Sequence, residues 1–246
     1  DPDTIKIARA REVMEYQMST SKLDYWHWVD ALYMVMPVMV KMYDITKNPL
    51  YLEKLHQYLT VTDSIMYDRE VGLYYRDAKY PYPFHKTING KKDFWSRGDG
   101  WAFAAFAKVL KQLPAEDKYR EEYITRFQTM AKSIAACQQP EGYWTRSLID
   151  PEQAPGPETS GTALFFFFFL WGINNGLLNA DIYSPIVEKA WNYLKTTALQ
   201  ADGKIGYIQP VGEKAIPGQV VDANSCFNFG IGAFLLAACE RVRFLQ

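Results

Sequence analysis

The chain has 246 residues, 48% of them hydrophobic and 22% charged, a profile that fits one large globular domain or two small ones. The net charge of −1 gives no basic surface for nucleic acid or an anionic membrane, and neither is expected as a partner. The three cysteines, Cys137, Cys226 and Cys239, are too few and too unevenly spaced for a disulfide framework or a metal site, and they read as buried free thiols.

In chain order, residues 5–18 place Ile5, Ala8, Val13, Met14 and Met18 at helical spacing. The aromatic cluster Trp26, His27, Trp28 precedes Asp30 and a segment, 31–42, that is apolar almost all round and should be buried on every side. Pro37 should kink it or mark its early turns. Pro49 opens an amphipathic helix over 50–66. A turn at Gly72 and a short extended piece, Tyr74-Tyr75-Arg76, lead into a loop over 78–92 that carries His85.

The next stretch, Phe94-Trp95-Ser96-Arg97-Gly98-Asp99-Gly100-Trp101, runs into a buried helix over 102–110. A cation beside flat aromatic faces at the mouth of a helix suits an anionic ring such as a uronic acid sugar. The same residues also read as ordinary core, with Arg97 capping a neighbouring helix. An amphipathic helix follows over 114–138, then a turn at Gly142 with a strand through Trp144 and Arg146. Glu158-Thr159-Ser160-Gly161-Thr162 opens an apolar helix over 163–173 that includes five consecutive phenylalanines at 165–169. The apolar run around them, about ten residues at 162–171, is too short to span a bilayer. Residues 185–199 form another amphipathic segment, Gly203 centres a third turn and strand, and Asn228-Phe229-Gly230 opens a last apolar helix over 231–239.

An internal repeat emerges: amphipathic helix, Gly-centred turn, short aromatic strand, polar loop, buried helix. Its turn glycines, Gly72, Gly142 and Gly203, lie 70 and 61 residues apart. Alternating half-exposed and fully buried helices imply an outer and an inner ring, hence an all-α toroid. The starts of the inner helices should converge on one face, where unpaired N–H groups suit an anion.

Trp28-Val29-Asp30, the Phe94–Trp101 motif, Glu158-Thr159-Ser160-Gly161-Thr162-Ala163 and Gly230-Ile231-Gly232-Ala233-Phe234 appear in an order and spacing that resemble the unsaturated glucuronyl and rhamnogalacturonyl hydrolases, glycoside hydrolase families 88 and 105, more closely the second. The resemblance covers nearly the whole chain. It implies an (α/α)6 barrel of six hairpins acting on lyase-generated oligosaccharides, of pectin or rhamnogalacturonan type, that end in an uronic acid with a C4=C5 double bond. Such enzymes hydrate the vinyl ether, and the hemiketal then collapses and releases the sugar. The matching general acid and base is Asp30; its other reading is a first-turn helix acid. Trp28, Trp95, Arg97, Trp101, Met34 and Arg76 match or neighbour the sugar subsite, with Asp99, Glu158 and Ser160 in support. No metal or cofactor is implied.

Four buried and four outer helices leave the chain, read as one toroid domain over 1–246, about two hairpins short of the expected barrel. The acidic pair that the family carries upstream of the catalytic aspartate is missing too, Asp24 being too close to Asp30 to serve. The expected reading is therefore an N-terminally incomplete or inactive form. No leader opens the chain, and a bacterial periplasm or cytoplasm is the expected location. Two alternatives stay open: another toroid glycosidase with Asp99 or Glu158 as partner to Asp30, and a non-catalytic carbohydrate-binding toroid. Three unpaired histidines, His27 and His56 of them structural, argue against an epimerase.

Overall fold

A computed structural model describes residues 2–212 and 214–244. Eight helices are present among them: α1 (Pro2–Ser19), α2 (Asp30–Thr46), α3 (Leu50–Met66), α4 (Ser96–Gln112), α5 (Arg120–Ala136), α6 (Thr159–Asn174), α7 (Ala180–Tyr193) and α8 (Asn228–Phe244). α2 packs on α4, α4 on α6 and α6 on α8, while α3, α5 and α7 back α2, α4 and α6 from outside. This is the inner and outer ring of an α/α toroid, laid out as an arc.

Burial on all sides holds for α4 and α6, the two middle inner helices. In α4, Ala102, Phe103, Ala104, Ala105 and Phe106 are fully buried. The end helices differ from expectation: α2 leaves Met34 and Ile45 exposed, and α8 leaves Leu235, Leu236 and Val242 exposed. Each has an inner neighbour on one side only, so periodicity alone overstates its burial.

The phenylalanine run is a packing wall. Phe165 meets Trp144 edge-on at 5.2 Å, Phe169 meets Phe103 at 5.5 Å, and Phe103 stacks on Phe127 at 4.4 Å. Each ring taken from water contributes about 1.5–3 kcal/mol, so this wall is a main source of cohesion between α4, α5 and α6.

Several boundaries move. α5 begins at Arg120, because Asp117 accepts the Tyr119 N–H at 2.9 Å and folds 114–119 into turns. α7 begins at Ala180, since Asn179 accepts the Asp181 N–H at 2.8 Å, and Pro185 lies inside the helix. Its continuation, Leu194–Ala198, is wound as a π-helix. A two-stranded ladder forms at β1 (Tyr67–Asp68) and β2 (Leu73–Tyr74). The second and third expected strands are reduced to isolated bridges, among them Trp95↔Ser147 and Leu199↔Ile205. All three turn glycines have left-handed φ of 78°, 98° and 85°. At Gly142 a Cβ would also lie 2.1 Å from the Lys189 carbonyl oxygen, so no other residue fits there.

The thiol reading is corrected: Cys137 and Cys226 are half-buried and Cys239 is exposed, all three free. Cys239 lies on α8, the end helix that keeps an open face. No helix is long and apolar enough to cross a membrane among the described residues.

Candidate active site

The repeat ties each inner helix to the turn that follows it in the same way. Four residues after Gly72, Gly142 and Gly203 lie Arg76, Arg146 and Tyr207. Their carbonyls accept the N–H of Val29 at 3.0 Å, of Ser96 at 2.9 Å and of Thr159 at 2.8 Å. Each bond falls at the start of α2, α4 or α6, where N–H groups lack partners within the helix. The loops are thereby drawn over one end of the inner ring, and their side chains meet there.

A cavity of about 270 Å³ lies at that end. It is lined by Trp28, Asp30, Met34, Arg76, Trp95, Arg97 and Trp101, together with Val211, Gly212 and Phe229. Every residue expected to catalyse or to bind substrate thus borders one space, although they come from three separated stretches of chain. Among the described residues, no group of three or more His, Cys, Asp or Glu is placed to hold a metal ion.

Asp30 is the first residue of α2, and Val29 rather than Asp30 occupies the cap position. Its Oδ2 is buried without a hydrogen-bond partner. Burial raises the Asp30 carboxyl above the ordinary aspartate range, and the charges of Arg97 and Arg76 only partly oppose this. Trp26 is not part of the cavity lining; it is buried against the Tyr58 ring, at 5.2 Å. Trp28 is 40% exposed. The Arg76 guanidinium lies 4.1 Å from the centre of its ring. Arg76 Nη1 donates to Asp77 at 2.5 Å, whereas its Nε is buried without a partner. The antiparallel bridge Trp28↔Asp77 holds this pair together.

Arg97 is built differently. Its Nη1 donates to Ser160 Oγ at 3.2 Å and to the Gln209 carbonyl at 2.9 Å, and Nη2 donates to the Pro210 carbonyl at 2.7 Å. Glu158 Oε1 is 3.6 Å away. The guanidinium sits between the rings of Trp95 and Phe229, at 4.6 and 4.8 Å. Trp101 borders the cavity and packs on Tyr33 at 4.6 Å.

The supporting acids lie outside the cavity. Glu158 is fully buried and caps α6, accepting the N–H groups of Ser160, Gly161 and Gln209 and the Ser160 hydroxyl. Asp99 is fully buried on α4 and accepts the Tyr74 N–H at 2.9 Å. Burial without a cationic partner pushes its carboxyl well above the ordinary aspartate range. Neither lines this cavity, so neither stands opposite Asp30 as the second carboxylate of an inverting pair. His56 stacks on Tyr119 at 3.8 Å, His27 is exposed, and His85 pairs with Asp93 at 2.8 Å.

Val211, Gly212 and Phe229 were not among the sequence candidates. Phe229 carried a readable signal, since it begins an inner helix as Trp95 and Trp28 do. Val211 and Gly212 carried none, because they reach the cavity only through the path of their loop.

Residues 2–245 match the family model described as Glycosyl Hydrolase Family 88. An unsaturated 3S-rhamnoglycuronyl hydrolase of Formosa agariphila is 37% identical over 90% of this chain and 59% of its own length. The chain therefore spans somewhat more than half of that curated relative. A solved glycosyl hydrolase family 88 structure from Bacteroides vulgatus is 99% identical over 99% of this chain and 70% of its own, with a TM-score of 0.95. A solved structure named a polysaccharide lyase is 74% identical over 100% of this chain and 69% of its own, again with a TM-score of 0.95. Motif order, ring architecture and family match agree, and the chain belongs to glycosyl hydrolase family 88.

Proposed function

We propose that the protein containing this chain releases a terminal unsaturated uronic acid from lyase-generated oligosaccharides by hydrating its C4=C5 double bond. The observation that carries this reading is Asp30: a carboxyl raised by burial, with one unpartnered oxygen, in the lining of an aromatic cavity to which Arg76, whose Nε is also unpartnered, contributes. A group that first donates and then accepts a proton works best with a pKa drawn toward the operating pH.

In this scheme protonated Asp30 gives its proton to C4, and positive charge develops at C5 and the ring oxygen. Water adds at C5 while the Asp30 carboxylate takes a proton from it, which restores the acid. The C5 hemiketal opens to a ketone, and the freed hemiacetal at C1 expels the rest of the oligosaccharide. Trp28 and Trp101 offer faces to the sugar ring, and Arg76 offers a donor to the uronate carboxylate. The relative from Formosa agariphila, named as an unsaturated 3S-rhamnoglycuronyl hydrolase, makes an unsaturated 3S-rhamnoglycuronide the substrate to test first.

The name of the 74% identical neighbour favours a second reading, in which the site creates the double bond. The two are opposite in sign. Incubation with a purified unsaturated uronide should lower the ultraviolet absorbance of the double bond, whereas lyase action on an uncleaved polysaccharide would raise it. Stable absorbance of the uronide, with the whole protein in excess, would sink the hydrolase reading.

A further inference from the structure

We infer that Gln209 is a positioning residue of this site: its side-chain amide fixes the 210–219 loop, which supplies Val211 and Gly212 to the cavity, against Trp95 and Arg97. The inference builds on the proposed function of the cavity, but its structural half stands apart from it. Gln209 is fully buried, and each of its polar atoms is engaged. The backbone N–H donates to Glu158 Oε1 at 3.1 Å, and the carbonyl accepts from Arg97 at 2.9 Å. Oε1 accepts the Trp95 indole N–H at 2.8 Å. Nε2 donates to the Lys214 carbonyl and, at 3.1 Å, to Gln219 Oε1.

The orientation of this amide is forced. An indole N–H can only donate and a backbone carbonyl can only accept, so the oxygen must face Trp95 and the nitrogen must face Lys214. One planar group thus joins the aromatic wall at the start of α4 to a loop more than a hundred residues away. The loop has other anchors, but they lie further from the cavity. Gln153 Nε2 donates to the Ala215 carbonyl at 2.9 Å, and Arg146 donates to the Gln219 carbonyl at 2.8 Å. Pro210 is held by Arg97 and Lys214 by Gln209, and Gly212, which lines the cavity, has a φ of 77°. Loosening the amide frees that stretch of loop while leaving Asp30 and Arg76 in place.

The test uses the whole protein with three variants. Gln209→Met removes all three hydrogen bonds of the amide. Gln219→Ala removes one tie from outside the core, so it remains informative if Gln209→Met folds poorly. Gln209→Glu keeps the Trp95 acceptor, but as a carboxylate it repels the Lys214 carbonyl, and only its protonated form can donate there. Hydrogen exchange of the 210–219 backbone should quicken about tenfold or more in Gln209→Met and less in Gln219→Ala. In Gln209→Glu the loop's protection, measured relative to the intrinsic exchange rate at each pH, should rise again as the pH falls. The kinetic loss in Gln209→Met should fall mainly on KM, raised roughly tenfold, with the pH dependence set by Asp30 unmoved. Unchanged exchange in the loop and unchanged KM, with only a lower Tm, would overturn the inference and make Gln209 core filler. If the wild type consumes no unsaturated uronide, the proposed function fails, and the exchange data alone decide whether the amide holds the loop.

Discussion

The starts of α2 and α4 border the same cavity, yet their polar groups are in opposite states. At α4 the groups that line the cavity are engaged, although Ser96 Oγ and Asp99 Oδ2 behind them lack partners: Arg97 donates to Ser160, Gln209 and Pro210, and the Trp95 N–H is taken up by Gln209. At α2 the lining is unfinished: Asp30 Oδ2 and Arg76 Nε are buried with nothing to bond. Burying an unpartnered polar atom costs roughly 1–3 kcal/mol, a cost seldom left standing unless something else supplies the partner. The α4 side is therefore a wall that shapes the cavity, and the α2 side is where a ligand and a proton are handled. Of the two arginines equally prominent in the sequence, Arg76 is the one with a donor to offer.

The largest effect should come from the unfinished side. Asp30→Asn keeps the shape of the side chain and removes its proton, and it should lower turnover of an unsaturated uronide on the order of 10³-fold while Tm barely moves. Arg76→Ala should lower kcat/KM roughly 10- to 100-fold, the worth of a charge-assisted hydrogen bond, and should also lower Tm, because it strips nearly buried Asp77 of its ion-pair partner. It should also shift the pH profile. Asp30 must be protonated to donate, so activity falls as pH rises through its pKa. Arg76 favours the carboxylate, so its loss raises that pKa further and moves the descending limb to higher pH. A limb that moved to lower pH would break the assignment.

Arg97→Ala tests the engaged side, where the loss of stability should come first. It leaves Glu158 and two backbone carbonyls without their buried donor and should cost about 3 kcal/mol of stability, read as a lower Tm before any kinetic effect is measured. A folded, stable Arg97→Ala with a weakened KM alone would erase the contrast between the two helix starts.

Smaller effects follow from groups further back. Burial holds the Asp99 carboxyl well above its unfolded value of about 3.9. The folded state thus keeps a proton that the unfolded chain releases, and stability declines as pH rises above that value through the folded pKa. Asp99→Asn mimics the neutral acid. It should leave stability near pH 4 within about 0.5 kcal/mol and flatten the decline on the alkaline side, seen in denaturant midpoints across pH. Last, exposed Cys239 should take up a thiol reagent before Cys137, whose thiol burial pushes up to about 12. Mass spectrometry of the labelled protein checks this.

Much of the scheme was legible along the chain, because helices and Gly-centred turns are local. The spacing of Gly72, Gly142 and Gly203 marked the repeat, and the residues four positions later are those whose carbonyls hold the inner helices. The aromatic and charged clusters at helix starts marked the cavity, since a repeat that gathers helix starts at one end gathers their side chains too. Asp30, Trp28, Met34, Arg76, Trp95, Arg97 and Trp101 were all named from sequence and all border it.

What a residue type cannot reveal is whether its hydrogen bonds are already used. Arg76 and Arg97 look alike in sequence; one keeps a donor for the cavity and the other is spent on Gln209 and Pro210, partners over a hundred residues away. Asp99 and Glu158 look as acidic as Asp30, but the first is fully buried holding the Tyr74 N–H and the second is a helix cap. Val211 and Gly212 join the site only through the path of a loop. The sequence by itself determined which helices form, their repeat and the end at which their functional side chains collect. Only the tertiary structure decided which of those side chains remain unsatisfied, because satisfaction depends on contacts between distant segments that no local pattern encodes.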